Sequence, residues 1–314
     1  MGPRPDHRLG RLSGLLPRHG HVADEVKGSG RRSNEQGAIL EIAEEGVRFR
    51  SYRDGIERFL SPETSMEVQA ALHSDIALVF DECTPYRADR DYTARSTERT
   101  HRWLDRCLEW HDRHGPRDQA VFGIVQGGTH EDLRRRSAER VSAAAVDGIA
   151  IGGTLGRDKE EMRGVLELTA PLLPVDAPKH LLGIGEVDDL LGGIGLGLDV
   201  FDCAVPTRLA RHGVGLVPDP ERRFRLDLRK SGFAGSREPI VEGCPCPACL
   251  RHDRDYISYL SRAGELTAVR LLVLHNLTWM ERLVTGAREA IEGGRFAAYS
   301  KAVRGGAAPW DAAG

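Results

Sequence analysis

The chain has 314 residues, 40% apolar and 29% charged, with a formal charge of −3. That length and apolar content support one large core or two smaller ones and exclude wholesale disorder. No run of about 18 apolar residues is long enough to span a bilayer, and the opening Met1-Gly2-Pro3-Arg4 lacks the apolar stretch of a secretion signal, so a cytoplasmic protein without membrane contact is expected.

Residues 1–37 are rich in Gly, Arg, Pro and His without periodicity, and read as a poorly ordered arm or a degraded first barrel element. His19-Gly20-His21 mimics the metal box of a barrel hydrolase, a minor alternative because no strand precedes it. From Glu41 onward strands and helices alternate. Ser61-Pro62-Glu63 starts a helix that runs to about His73, with Ser as N-cap, Pro in the first turn and an acid at the positive dipole end. Ile76–Phe80 is a short apolar run, the mark of a strand buried on both faces, and ends at Asp81. Ala120–Val125 ends at Gln126-Gly127-Gly128, with Thr129 expected to cap the following helix. Gly148–Ile151 ends at Gly152-Gly153, and Leu181–Gly185 leads into a short helix from Glu186. Leu198–Phe201 ends at Asp202.

Five such runs separated by helices predict an α/β fold with a parallel sheet, a (β/α)₈ TIM barrel first and a doubly wound sheet second. In both, ligands bind beyond the carboxyl ends of the strands. Asp81, Gln126, Gly152 with Gly153, Gly183 with Gly185, and Asp202 are then expected at one mouth. Residues 38–231 are assigned to the barrel core and 232–314 to a metal-binding subdomain with closing helices.

Cys244-x-Cys246-x-x-Cys249 is the most restrictive motif. Clustered thiols in a reducing compartment point to a metal rather than a disulfide scaffold. With one imidazole they make a closed tetrahedral set suited to a single structural Zn²⁺ per chain; His275 and the local His252 both compete for the fourth place. Asp202, ringed by apolar residues and followed by Arg208 and Arg211, suits a carboxylate nucleophile at an anionic substrate. Carboxylates attack anomeric carbons well because positive charge develops beside them; an Asp that merely caps the next turn is the plain alternative. Between Val205 and Lys230 seven basic residues face three acidic ones, which fits either an RNA-facing patch or a solvated charged loop. Asp81, Gln126 and the Gly152-Gly153 pair match the edge of guanine, whose N1–H and 2-amino donors suit a carboxylate while O6 suits an amide and a backbone N–H. No spacing rule singles out guanine from other purines.

Read together, Ser61-Pro62-Glu63, Phe80-Asp81-Glu82-Cys83, Phe122-Gly123-Ile124-Val125-Gln126-Gly127, Phe201-Asp202-Cys203 with Pro206-Thr207-Arg208, the cysteine cluster and His275-Asn276-Leu277 resemble the tRNA-guanine transglycosylases, also called queuine tRNA-ribosyltransferases, in their bacterial form. The resemblance runs from about Glu45 to Phe296. It implies a zinc-containing TIM barrel that exchanges guanine at the wobble position of a tRNA with a GUN anticodon for a free 7-deazaguanine, preQ1 or queuine, with the target base flipped out of its stack. It implies Asp202 as the nucleophile on the ribose, Asp81 with Cys83 on the Watson–Crick edge, Gln126 and the Gly153 N–H at O6, and Gly183 at the pocket floor. It also implies Arg208 and Arg211 on the anticodon, Cys244, Cys246, Cys249 and His275 as zinc ligands, and a homodimer.

Two departures stand out. The family carries Asp-Ser-Gly-Gly-(Phe/Tyr)-Gln at the end of its first barrel strand, supplying the general acid/base and a stacking aromatic. Lys27-Gly28-Ser29-Gly30-Arg31-Arg32, the corresponding stretch, has neither, and few residues precede it. Weak or absent turnover is therefore expected unless Asp24 or another group substitutes, with a tRNA-binding or partner subunit of the same family as the alternative. Second, Gly153-Thr154-Leu155-Gly156-Arg157 differs from the family's base-selecting Gly-Leu-Ala-Val-Gly-Glu, so preQ1 and queuine stay equally open.

Overall fold

The computed structural model describes residues 39–153, 155–230 and 232–312. The expectations for the arm of residues 1–37, including His19, His21, Asp24 and Lys27–Arg32, lie outside the described residues, as does Thr154. The chain divides into two compact units, one of residues up to 182 with 198–200, the other of 183–197 with 201 onward.

Among the described residues, the first unit opens on a small antiparallel sheet that the strand–helix reading did not separate out: β1 (Ile39–Ile42), β2 (Val47–Arg50) and β3 (Glu57–Leu60). In β2, Val47 and Phe49 are buried while Arg48 and Arg50 are exposed, the alternation of a strand with one wet face. Helix α1 (Pro62–Ala71) starts as expected, with the Ser61 hydroxyl accepting the Thr64 N–H at 3.2 Å.

The main sheet contains β4 (Ile76–Leu78), β5 (Ala120–Val125), β6 (Gly148–Ile151), β7 (Lys179–Leu181) and β8 (Val200–Phe201), in that spatial order. The pairs from β4 to β7 are parallel. Sequential order is what a (β/α)₈ arc requires, whereas a doubly wound sheet reverses direction at a switch point. The barrel-type expectation therefore holds for the described strands. Helices α2 (Arg90–His114), α3 (Glu131–Ser142) and α4 (Lys159–Thr169) fill the crossovers β4–β5, β5–β6 and β6–β7.

Four boundaries differ from expectation, one being that of β8, which begins at Val200 and not at Leu198. β4 stops at Leu78 because the chain peels toward α2, the Phe80 N–H donating to Cys107 Sγ at 3.3 Å. The strand expected at Leu181–Gly185 is Lys179–Leu181 instead; the Lys179 ammonium folds back onto the Val175 and Ala177 carbonyls at 3.3 and 3.1 Å, so a polar strand stays satisfied. Thr129 does not cap α3. His130 occupies that position without a side-chain bond, because a turn closed by the His130 N–H on the Gly127 carbonyl carries Thr129 one residue too early.

The second unit contains α5 (Val187–Gly195), α6 (Val205–Arg211), the antiparallel pair β9 (Val214–Leu216) and β10 (Arg225–Asp227), then α7 (Pro247–Arg251), α8 (Arg254–Ala263), α9 (Leu266–Glu292), α10 (Phe296–Arg304) and α11 (Pro309–Ala312). Its core forms along α9, where Leu272, Trp279 and Leu283 are buried with Ile240 and Ile257.

Candidate active site and metal centre

Parallel pairing levels Val125 with Ile151, so Gln126 and Gly152 leave the sheet on one edge. Asp81 lies on the loop after β4. Gln126 Nε2 donates to Asp81 Oδ2, which joins the two loops. Packing strips enough water from Asp81 to push its carboxyl up to about 6, opposed by the Gln126 hydrogen bond. Gln126 is buried, and its Oε1 finds no donor among the described residues. Gly153 completes the cluster. Its φ of +76° suits glycine, and a Cβ there would stand 2.3 Å from Gln126 Oε1, so no other residue lets the backbone come this close.

The neighbouring Glu82 is buried but satisfied. Tyr92 and Arg99 of α2 donate to its carboxylate, and the Glu82 N–H donates to Thr100 Oγ1 at 3.0 Å. Helix α2 thereby fixes the Asp81-Glu82-Cys83 loop, a role that Glu82 did not signal in the sequence.

In the second unit Asp202 follows β8 directly and is exposed, and its Oδ1 accepts the Gly183 N–H at 2.9 Å. Arg208 and Arg211 lie on α6, just beyond; Arg211 is exposed. Much of the remaining basic stretch is neutralised locally: Arg225 pairs with Glu186, Arg222 with Asp219 and Arg229 with Asp227.

The cysteine cluster closes around one point. Sγ of Cys244, Cys246 and Cys249 stand 3.6, 3.5 and 3.4 Å from His275 Nδ1. Tetrahedral Zn²⁺ with its usual bond lengths requires sulfur–nitrogen edges of about 3.6 Å. All four ligand atoms lie within 4.8 Å of one another, so the donor set fits a metal ion. His252 instead stacks on Tyr256 and is not among the four residues whose ligand atoms group together. His275 Nε2 donates to the Leu216 carbonyl at 2.7 Å, fixing the tautomer that presents the Nδ1 lone pair. Hydrogen bonds within the cluster push the Cys244 thiol far up and the Cys246 thiol far down. A divalent cation held by these side chains would favour their thiolate forms.

Asn276, the next residue, is fully buried. Its Oδ1 accepts the Leu216 N–H at 2.8 Å, while its Nδ2 donates to the Pro206 and Val214 carbonyls at 2.9 and 3.0 Å. His275 and Asn276 thus take both main-chain groups of Leu216, and the helix that ends the metal centre also holds α6 with its two arginines. The motif His275-Asn276-Leu277 was visible in the sequence, but the tethering role of Asn276 was not.

A barrel-type sheet with a carboxylate–amide pair beyond its carboxyl edge, together with a Cys₃His cluster that could hold a metal ion, defines an α/β protein of the barrel type. The family of queuine tRNA-ribosyltransferases matches residues 26–306. A queuine tRNA-ribosyltransferase from a Roseiflexus species is 44% identical over 288 residues, covering 89% of this chain and 72% of that protein. Its counterpart from Symbiobacterium thermophilum is 45% identical over 305 residues, 92% of this chain and 75% of the relative. That of Thermus thermophilus is 42% identical over 301 residues, 96% and 76% respectively. The chain belongs to the queuine tRNA-ribosyltransferase family. Among the described residues no helix is long and apolar enough to cross a membrane.

Proposed function

We propose that this chain exchanges guanine at the wobble position of a GUN-anticodon tRNA for a free 7-deazaguanine base. Asp202 attacks C1′ of the ribose, the C1′–N9 bond breaks, and guanine departs after gaining a proton. N9 of the incoming base then attacks C1′ and loses its proton, and the aspartyl ester bond breaks. Two displacements retain configuration. Asp81 accepts the N1–H and 2-amino donors of either base, Gln126 and the Gly153 N–H serve O6, and Cys83 and Gly183 line the pocket. Arg208 and Arg211 hold the anticodon. Zn²⁺ is the ion for Cys244, Cys246, Cys249 and His275; all four positions being protein ligands, it serves the fold and leaves no place for substrate. The protein works as a cytoplasmic homodimer.

The observation that carries this reading is the Asp81–Gln126–Gly153 cluster in a chain of this family: a half-buried carboxylate, a buried amide with spare hydrogen-bonding capacity and a glycine-opened backbone share one edge of the sheet. The test is incorporation of labelled guanine into unmodified GUN-anticodon tRNA, which the reading requires and which a tRNA of another anticodon should not show.

A second reading is favoured by Lys27–Arg32, which carries neither the acid/base nor the aromatic of the family motif. Under it the chain binds tRNA as a partner subunit without exchange. It predicts steeply salt-dependent tRNA binding with no label incorporated.

A further inference from the structure

Arg134-Arg135-Arg136 reads as a solvated run. Arg135 and Arg136 obey that reading; they are exposed and pair with Glu131 and Glu98. Arg134 does not, for it is 0% exposed. Its guanidinium donates to three main-chain carbonyls: Gly128 at 2.7 Å, Gly152 at 2.9 Å and Val125 at 3.2 Å. Those carbonyls flank Gln126 on one loop and precede Gly153 on the next. Nη2 stands 3.6 Å from where a Cβ of residue 153 would lie. Ser137, one turn further along the same face of α3, is also fully buried, and its Oγ accepts the Gln126 N–H at 3.0 Å. Together the two side chains grip the backbone on both sides of Gln126.

Burial lowers the Arg134 guanidinium to about 10, opposed by the nearby Cys83 thiol, so it stays charged at neutral pH. Stability alone does not explain it, since a buried charge is costly and an apolar residue of similar volume often serves the fold as well. What only arginine offers is a rigid planar fork that reaches several acceptors at once.

We propose that Arg134, assisted by Ser137, is a positioning residue that sets the O6-reading half of the purine pocket. It acts through Gln126 and the Gly153 N–H without touching the base. This rests on the base-exchange reading above and adds to it a division of labour: Asp81 reads the donor edge, while the α3 clamp fixes the groups that read O6.

The test is equilibrium binding of guanine, hypoxanthine and 6-thioguanine to the full chain and to Arg134→Lys and Ser137→Ala. Hypoxanthine lacks the 2-amino group read by Asp81; 6-thioguanine keeps both donors but replaces O6 with a larger, poorer acceptor. Arg134→Lys should lose about tenfold of the preference for guanine over 6-thioguanine, with the preference over hypoxanthine held within about twofold. Ser137→Ala should move the first ratio the same way by about threefold, and decides the matter alone if the lysine variant does not fold. Unchanged ratios in both variants, or equal loss of both ratios as from general loosening, would overturn the inference. Wild-type protein that discriminates against neither analogue contradicts the base-exchange reading itself, and this inference with it.

Discussion

Beside the half-buried Asp81, the buried Gln126 amide keeps capacity to spare; at Cys244, Cys246, Cys249 and His275 the four ligand atoms gather within 4.8 Å of one another. The sheet-edge cluster leaves Gln126 Oε1 without a donor among the described residues and holds a carboxyl group pushed up to about 6. The metal centre assigns even the far nitrogen of His275 to a carbonyl. The difference is the one the proposed function requires, between a cluster that a ligand would complete and one whose donors are already gathered. Unsatisfied burial is not confined to that cluster, since the indole N–H groups of Trp279 and Trp310 also lack partners among the described residues, so what distinguishes Gln126 is its place on the carboxyl edge of the sheet.

Perturbing the closed site should give the largest effect. Metal analysis should find one zinc per chain, and Cys246→Ala or strong chelation should remove on the order of 10 kcal/mol of apparent stability, seen as loss of cooperative unfolding. A chain that unfolds at an unchanged midpoint without metal would show the centre to be dispensable. At the open site, Asp81→Asn should weaken guanine binding by roughly 1–3 kcal/mol with little structural change. Because the ionised Asp81 is the acceptor, wild-type affinity for guanine should fall as pH drops through about 6, and the asparagine variant should lose that dependence. Stability runs the other way: the folded chain holds this proton more tightly than the unfolded chain, so this group's contribution declines as pH rises from about 4 towards 6.

Much of this contrast could be read from the residues, and the part that could not has a physical reason. Ala120–Val125 and Gly148–Ile151 announced themselves because strands buried on both faces become continuous apolar runs. Lys179-His180-Leu181 did not, since its lysine is satisfied by local carbonyls rather than by water. The cysteine spacing marked the metal centre; choosing His275 over His252 needed the family resemblance first and then the geometry. Arg134 and Glu82 stayed hidden because a charged residue in a charged stretch looks solvated until its partners are seen. For Arg134 the nearest clue was Ser137 at i+3, which puts two polar residues on a helix face that otherwise buries Leu133, Ala138 and Val141.

Smaller effects sharpen the same contrast. Gly153→Ala forces a Cβ towards Gln126 Oε1 at a φ of +76°; it should cost about 1–2 kcal/mol of stability and weaken guanine binding, measured by thermal unfolding and calorimetry. Ser61→Ala removes the cap on α1 and should cost about 1 kcal/mol, leaving base affinity as it was. Equal losses of base affinity in the two variants would mean that the pocket has no special sensitivity.

The central claim is that the Asp202 side chain carries the nucleoside during exchange, and denaturing electrophoresis after mixing the protein with GUN-anticodon tRNA tests it directly. The account predicts a band at the combined mass of protein and tRNA that free guanine disperses and that Asp202→Asn abolishes. A band that persists in the asparagine variant would contradict it.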